Sequence, residues 1–265
     1  MTRRLHWAEY RTAEFQNLDP ETTLAVLPTA AIEQHGPHLP VGTDTMIASG
    51  MIDELCTACP DDLDLRILPV QAVGKSNEHL FAQGTVTFDA ETALRAWLEI
   101  GLSVARAGLR KIVIVNSHGG NLDLISILTR ELRVRADMLA VKCQWGSFGH
   151  PEGLFSDHEL TFGIHGGDVE TSLMLAFQPH TVDMTKAENF ISSAETANVK
   201  PVGLVSRGWI ATDVNPNGVV GNAAAATAKK GRDVALHQVN GLIGLLRDVR
   251  DMPLPPKNSS GFQGL

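Results

Sequence analysis

Short unbroken apolar runs alternate along the chain with longer stretches whose apolar positions recur every three to four residues. "TLAVLPTAA" (23–31), "LRILPV" (65–70), "KIVIVNS" (111–117) and "MLAVKCQW" (138–145) read as strands. The third is the clearest, β-branched and without a polar break, as a strand buried on both faces should be. Amphipathic patterns predict helices over 44–57, 90–107 and 121–135. A further helix begins near Asp168 in "ETSLMLAF", and a last one spans about 223–249. Strands alternating with helices predict an α/β fold: a mainly parallel central sheet covered on both faces. Residues 181–222 show no clear periodicity and read as a long excursion. With 265 residues, 43% of them hydrophobic, the chain suits one domain over 1–251. A Pro- and Gly-rich tail, 252–265, is flexible or draped over a neighbour.

Charge narrows the function classes. The formal net charge is −8 and the pI about 5.6, and Lys and Arg form only short doublets. That is no footprint for nucleic acid or an anionic membrane. The basic N-terminus lacks a following apolar region, so no signal peptide is read. No apolar run approaches the roughly 20 residues of a membrane span. A soluble, cytoplasmic protein is expected. Cys56, Cys59 and Cys143 are too few, and odd in number, for a disulfide framework. Cys56 and Cys59 form a C-x-x-C, but near a helix C-terminus, where the dipole disfavours a thiolate. With no second cysteine pair for zinc, a structural role is expected for all three.

The chemistry gathers where strands end. Ligands of open α/β sheets bind beyond the carboxyl ends of the strands. "AAIEQHGPHLPVGTDT" (30–45) leaves the first strand carrying Glu33, His35, His38 and Asp44. Glu33 and His35 are two apart and project to one side of an extended chain. Gly36 and Pro37 turn the chain back to a helix start that Thr43 or Asp44 could cap. A carboxylate such as Asp44 has two oxygens and can bridge two cations, and this donor set suits Zn²⁺ or Mn²⁺. "NSHGGN" (116–121) places His118 directly after the third strand, with Asn121 as a candidate cap. "GIHGGDVETS" (163–172) carries His165, then Asp168 as a candidate N-cap and Glu170 in the first helical turn. Singly, "HGGN" is a tight turn and Glu170 a favourable helix-start carboxylate. His38 reads as structural. Together at strand ends they point to one metal centre, because buried carboxylates and imidazoles are costly unless paired or metallated.

"EQHGPHLPVGTD", "NSHGGN", "HGGDVETS" and the late "GVVGNAAAATAKKG" resemble, in order and spacing, the creatininase (creatinine amidohydrolase) family over about residues 20–245. The resemblance implies a three-layer α/β/α domain, a binuclear metal centre and a homohexamer. One ion would take Glu33, Asp44 and His118. The other would take His35 and the bridging Asp44. Creatininase adds a glutamate where this chain has Gly120, and Glu170 is expected to replace it. The cofactors implied are two divalent ions, zinc or manganese, with iron possible. A bridging hydroxide would be the nucleophile, with His165 and Glu170 completing the catalytic set. Ser76, Glu78 and His79 in "GKSNEHLFAQGT", with Gly119, would meet the substrate. Gly119 stands where creatininase has a tyrosine, which argues against creatinine itself.

The reaction expected is hydrolysis of a small cyclic amide, formamide or related C–N bond. Family activities also include peptide-tail trimming and cleavage of a cyclic keto-inositol. Lys75 and Arg207 are the basic residues nearest the motifs, which fits a neutral or small substrate. Among Trp145, Phe148, Phe155, Phe162 and Trp209, the last is the candidate substrate lid. The non-enzymatic alternative is a metal-stabilised subunit whose second site has decayed at Gly120.

Overall fold

The computed structural model describes residues 3–258. β1 (Thr23–Thr29), β2 (Asp64–Ile67), β3 (Lys111–Asn116) and β4 (Leu139–Gln144) form one parallel sheet in the order β2-β1-β3-β4. The helices are α1 (Thr43–Ala58), α2 (Ala90–Arg106), α3 (Leu122–Ala136), α4 (Asp157–Phe162), α5 (Asp168–Phe177), α6 (Ala211–Val214) and α7 (Ala228–Asp251). The last begins later than its Ala-rich approach suggests. Residues 223–225 form a separate 3-10 turn, and Thr227 then caps α7 by accepting the Lys230 N–H. The excursion is not structureless. β5 (Asn189–Phe190) and β6 (Gly221–Asn222) pair antiparallel and bracket α6. These elements, like the six residues of α4, are too short to show a period.

Successive residues of the central strands feed opposite layers. Leu24, Val26, Val113 and Val115 pack with Met51 and Leu55 of α1, Met174 of α5, and Val239, Leu242 and Leu246 of α7. Ala25, Leu27, Ile112 and Ile114 pack with Trp97 of α2 and Ile125, Leu128 and Leu132 of α3. The result is the expected three-layer α/β/α arrangement. It also explains why β1 and β3 show no polar alternation: both of their faces are buried. Pro28 is tolerated in central β1 for a positional reason. Its carbonyl accepts from Gln71 on the β2 side, so its missing N–H faces the same side, beyond the last paired residue, Ile67. Lys111 is buried and donates to the carbonyls of Arg250 and Met252, both at 2.6 Å, closing the negative end of α7.

Three expected caps differ. Gly42 and Gly167 occupy the cap positions, and Asp44 and Asp168 enter the first turns of α1 and α5. Asp168 instead pairs with Lys230 and accepts from Ser172. Asn121 makes no side-chain cap. It donates to the Ala30 carbonyl and to Asn116, and accepts from the Lys75 N–H, tying three strand-end loops together. Cys56 and Cys59 are half-buried free thiols, and burial pushes Cys56 up to about 11 and raises Cys59. That is the opposite of a redox thiolate. No helix among the described residues is long and apolar enough to cross a membrane. The first part of the tail lies on α3, where Pro256 accepts from Arg133 and Asn258 bonds Val134 and Asp137. The rest of the expected tail, 259–265, lies outside the described residues.

Helices α5 and α7 approach closely at Gly231, where a Cβ would collide with the Ser172 carbonyl, whereas Gly244 of the same helix has open space. Propensity alone favours alanine over glycine by about 1 kcal/mol at either position. Gly244→Ala should therefore raise Tm. Gly231→Ala should lower it, as overpacking of about 1–3 kcal/mol outweighs propensity. Thermal denaturation of both variants checks this, and a rise in both would refute the packing account.

Candidate metal centre

Four segments bring donors to one point beyond the sheet. Glu33 is held as its N–H donates to the Val41 carbonyl, and Gly36, at φ 73°, turns the chain so that His35 faces Leu39 across the turn. Asp44 projects from the first turn of α1. His118 follows β3 by two residues. His165 is bridged to Val220, and Glu170 lies in the first turn of α5. Asp44 spreads its oxygens between two histidines, Oδ1 at 3.3 Å from His35 Nε2 and Oδ2 at 3.1 Å from His118 Nδ1. Glu33 Oε1 lies 3.3 Å from His118 Nδ1 and 3.5 Å from His165 Nδ1. Glu170 Oε2 approaches His35 Nε2 at 3.8 Å.

The outward ring nitrogens fix what the inward ones present. His35 Nδ1–H donates to the Glu33 carbonyl (3.0 Å), and His118 Nε2–H donates to that of Lys75 (2.9 Å). His165 Nε2–H donates to the carbonyl of Gln34 (2.8 Å). In the neutral rings, three lone pairs therefore point at carboxylates. Glu33 Oε2, His35 Nε2 and Asp44 Oδ2 are buried without a hydrogen-bond partner. Converging lone pairs and anions in a buried site lack one component, a cation, and the residues fit divalent metal. Among the described residues, the donor sets whose atoms all lie within 4.8 Å of one another are Glu33, His35 and Asp44; Glu33, Glu78 and His118; His35, His165 and Glu170; and Glu33, His79 and His165. The expected grouping of Glu33 and Asp44 with His118, and of Asp44 and Glu170 with His35, has pairwise contacts behind it.

Without metal, protons play that part. Burial opposes a charge on His35, but Asp44, Glu170 and Glu33 outweigh it and raise the ring to about 10. Burial likewise opposes His118, which Glu33 and Asp44 hold well above the usual histidine range. Burial raises Glu170 to about 7 against the pull of His35. His165 goes the other way, pushed down to about 3 by burial and by His35.

A cavity of about 570 Å³ opens on this cluster. Glu33, His118, His165 and His79 form its inner wall. Lys75, Glu78, Gly119, Gly120 and Asp123 line one side, and the segments 201–203 and 206–210, with Trp209, line the other. Glu78, His79, Gly119 and Trp209, expected to meet the substrate, all line this cavity. Ser76 does not line the cavity. It is fully buried, with its hydroxyl 3.3 Å from His118 Nε2, and it supports the ring rather than a substrate. Of the other aromatics, Trp145 and Phe155 are consumed by the core. His38 is structural, its Nε2–H shared between the Gly166 carbonyl and Thr171. At Gly120 any side chain would collide with the Glu78 carboxylate, so that space is already filled.

Two residues escaped the sequence reading. Gln34 is the middle residue of Glu-x-His, where alternation aims it away from the ligands. Glu159 of α4 is buried, and its oxygens accept the Asp168 and Asn222 N–H groups, each at 2.7 Å. Gly163, Gly167 and Gly221 close around it, each without room for a Cβ beside that carboxylate. The buried acid thereby fixes the loop that carries His165.

The Creatininase family model, described as creatinine amidohydrolase, matches residues 8–246. The chain belongs to the creatininase family. A mycofactocin precursor peptide peptidase of Mycobacterium ulcerans is 32% identical over 83% of this chain and 84% of its own. A creatinine amidohydrolase of Pseudomonas putida is 28% identical over 69% of this chain and 73% of its own. Among solved structures, a manganese creatininase aligns at TM-score 0.71 and a zinc–zinc creatininase variant at 0.75. Each is 22% identical and covers 94% of this chain and 100% of its own. The creatininase fold is therefore shared across the described domain.

For this family member, metal uptake must displace the protons that His35, His118 and, below about 7, Glu170 hold in the metal-free state. Zinc affinity should therefore rise with pH from about 6 to about 9, by roughly tenfold per unit for each proton displaced. Titration calorimetry in buffers of different ionisation enthalpy reads the protons released. An affinity independent of pH would contradict this account.

Proposed function

We propose that this chain is a binuclear metal-dependent hydrolase that cleaves the C–N bond of a small amide, with a peptide-like amide favoured over a single small ring. The observation that carries the reading is Asp44. Its two oxygens face His35 and His118, so that Glu33 and Glu170 would complete two adjoining ligand sets, of which Glu33 and His118 line the cavity and His35, Asp44 and Glu170 lie behind them. Two cations bound there, zinc or manganese by the imidazole–carboxylate donor set, would activate a water and polarise a carbonyl.

The chain's own residues supply the rest. His165, neutral and with Nδ1 unprotonated, relays a proton at that atom from the attacking water to the leaving nitrogen without resting as an imidazolium, which its low basicity disfavours. The 75–79 and 201–210 segments hold the substrate and exclude bulk water. The cavity's volume, within the range of sites for drug-sized ligands, supports a peptide segment, in keeping with the similarity to a peptide peptidase. The decayed-site alternative loses its support if Glu170 serves where Gly120 offers nothing. Exposed Ile191, and exposed Leu204 and Val205 next to cavity-lining Gly203 and Ser206, favour a homo-oligomer, a hexamer by family resemblance.

Metal analysis with activity tests this. Wild-type protein should hold two ions per chain, falling to about one in Glu170→Gln and below that in Asp44→Asn. Hydrolysis of a panel of short peptides, formamides and cyclic amides should vanish on chelation and return with zinc or manganese. One ion per chain, unaffected by Glu170→Gln, would overturn the binuclear reading.

A further inference from the structure

Gln34 settles the protonation of a second histidine, one not placed among the ligands. Its side-chain amide has one allowed orientation. Oε1 accepts the Gly36 N–H at 2.8 Å, and Nε2 donates to the Gly218 carbonyl at 2.5 Å. A flipped amide would set oxygen against oxygen at Gly218 and N–H against N–H at Gly36. Gly218, which opens the late "GVVGNAAAATAKKG" motif, has φ 68°, and a Cβ there would collide with the Gln34 amide. The motif thus has a task at the site: its first carbonyl aims Gln34.

The second Nε2 hydrogen of Gln34 is directed at His79 Nδ1, 3.1 Å away. That nitrogen must accept, so the neutral ring carries its hydrogen on Nε2. Nε2 lies 3.4 Å from Glu33 Oε1, and the ring lines the cavity. His165 has the opposite arrangement. The backbone carbonyl of Gln34 takes its Nε2–H, which leaves Nδ1 as the inward acceptor. The two rings lie 4.5 Å apart between centroids. One residue therefore sets a donor and an acceptor side by side above the ligand cluster.

We propose that His79 is a catalytic residue: a neutral imidazole whose Nε2–H donates a hydrogen bond to the substrate's carbonyl oxygen as negative charge develops there, with Gln34 as its positioning residue. This rests on the hydrolase reading above. No proton leaves His79, and the proton of the attacking water goes to His165 Nδ1. A fixed neutral donor of this kind needs no reorganisation as the charge forms. It also has no free lone pair facing the ions, which separates it from the metal ligands.

Solid-state ¹⁵N spectra of histidine-labelled, zinc-loaded protein test the tautomer, with the His79 signals identified by their loss in His79→Gln. A protonated Nε2 and a bare Nδ1 are expected. In Gln34→Glu the carboxylate demands a hydrogen from Nδ1, and the pattern should reverse. On whichever amide of the panel is turned over, His79→Ala should lower kcat about a hundredfold with KM little changed. His79→Gln, which keeps an N–H, should recover part of the loss, and Gln34→Glu should follow His79→Ala. An active wild type whose His79 carries its hydrogen on Nδ1, or a His79→Ala variant with unchanged kcat, overturns the assignment of His79 alone. A wild type with two bound zinc ions and the Nε2–H tautomer that hydrolyses none of the panel overturns the hydrolase reading beneath it.

Discussion

The constraint on which the rest of the molecule depends is the burial of anionic charge. Glu33 and Asp44 are each about 1% exposed, next to imidazoles whose lone pairs also point inward. Such a cluster is stable only with positive charge inside it, as metal or as protons. The surrounding contacts make metal the better answer. Backbone carbonyls of Glu33, Lys75 and Gln34 take the outward N–H of His35, His118 and His165, so the rings have no hydrogen left to turn inward unless they charge. The fold supplies those carbonyls from loops that begin at strand ends, and the sheet fixes where the loops begin.

This is why the centre was legible in the sequence while its surroundings were not. Strands β1 and β3, with both faces buried, announce themselves as unbroken apolar runs, and Glu33, His35 and His118 follow them at short range. Their convergence with Asp44, His165 and Glu170 needs only the strand-end address and the glycine turns. Ser76 and Gln34 were misplaced or missed because their roles depend on the rear of a ring: one backs His118, the other aims His79. No local pattern records which side of an imidazole a neighbour will meet. Trp145 shows the same limit from the core side. In a strand-end position it could have faced a ligand, yet it packs into the core and gives its indole N–H to Ser117.

The excursion lacks periodicity because much of it covers the site rather than the sheet. Its ends are held at β5 and β6, and between them the 201–210 segment forms the outer wall of the cavity with little burial of its own. A wall of that kind can change in length and composition without disturbing either core layer. Within one family, the ligand cluster can therefore stay fixed while the molecules admitted to it differ, from a creatinine ring to a peptide.

The Glu159 cradle has a consequence for how this protein can change. Its carboxylate and the three glycines around it form one interlocked set: a larger residue at Gly163, Gly167 or Gly221 meets the acid, and losing the acid strands the Asp168 and Asn222 N–H groups. Such positions are strongly non-additive. A library that varies them one at a time samples only losses, and a viable alternative lies several simultaneous changes away. The loop bearing His165 is thus fenced off from gradual drift, although it reads, residue by residue, like an ordinary glycine-rich turn.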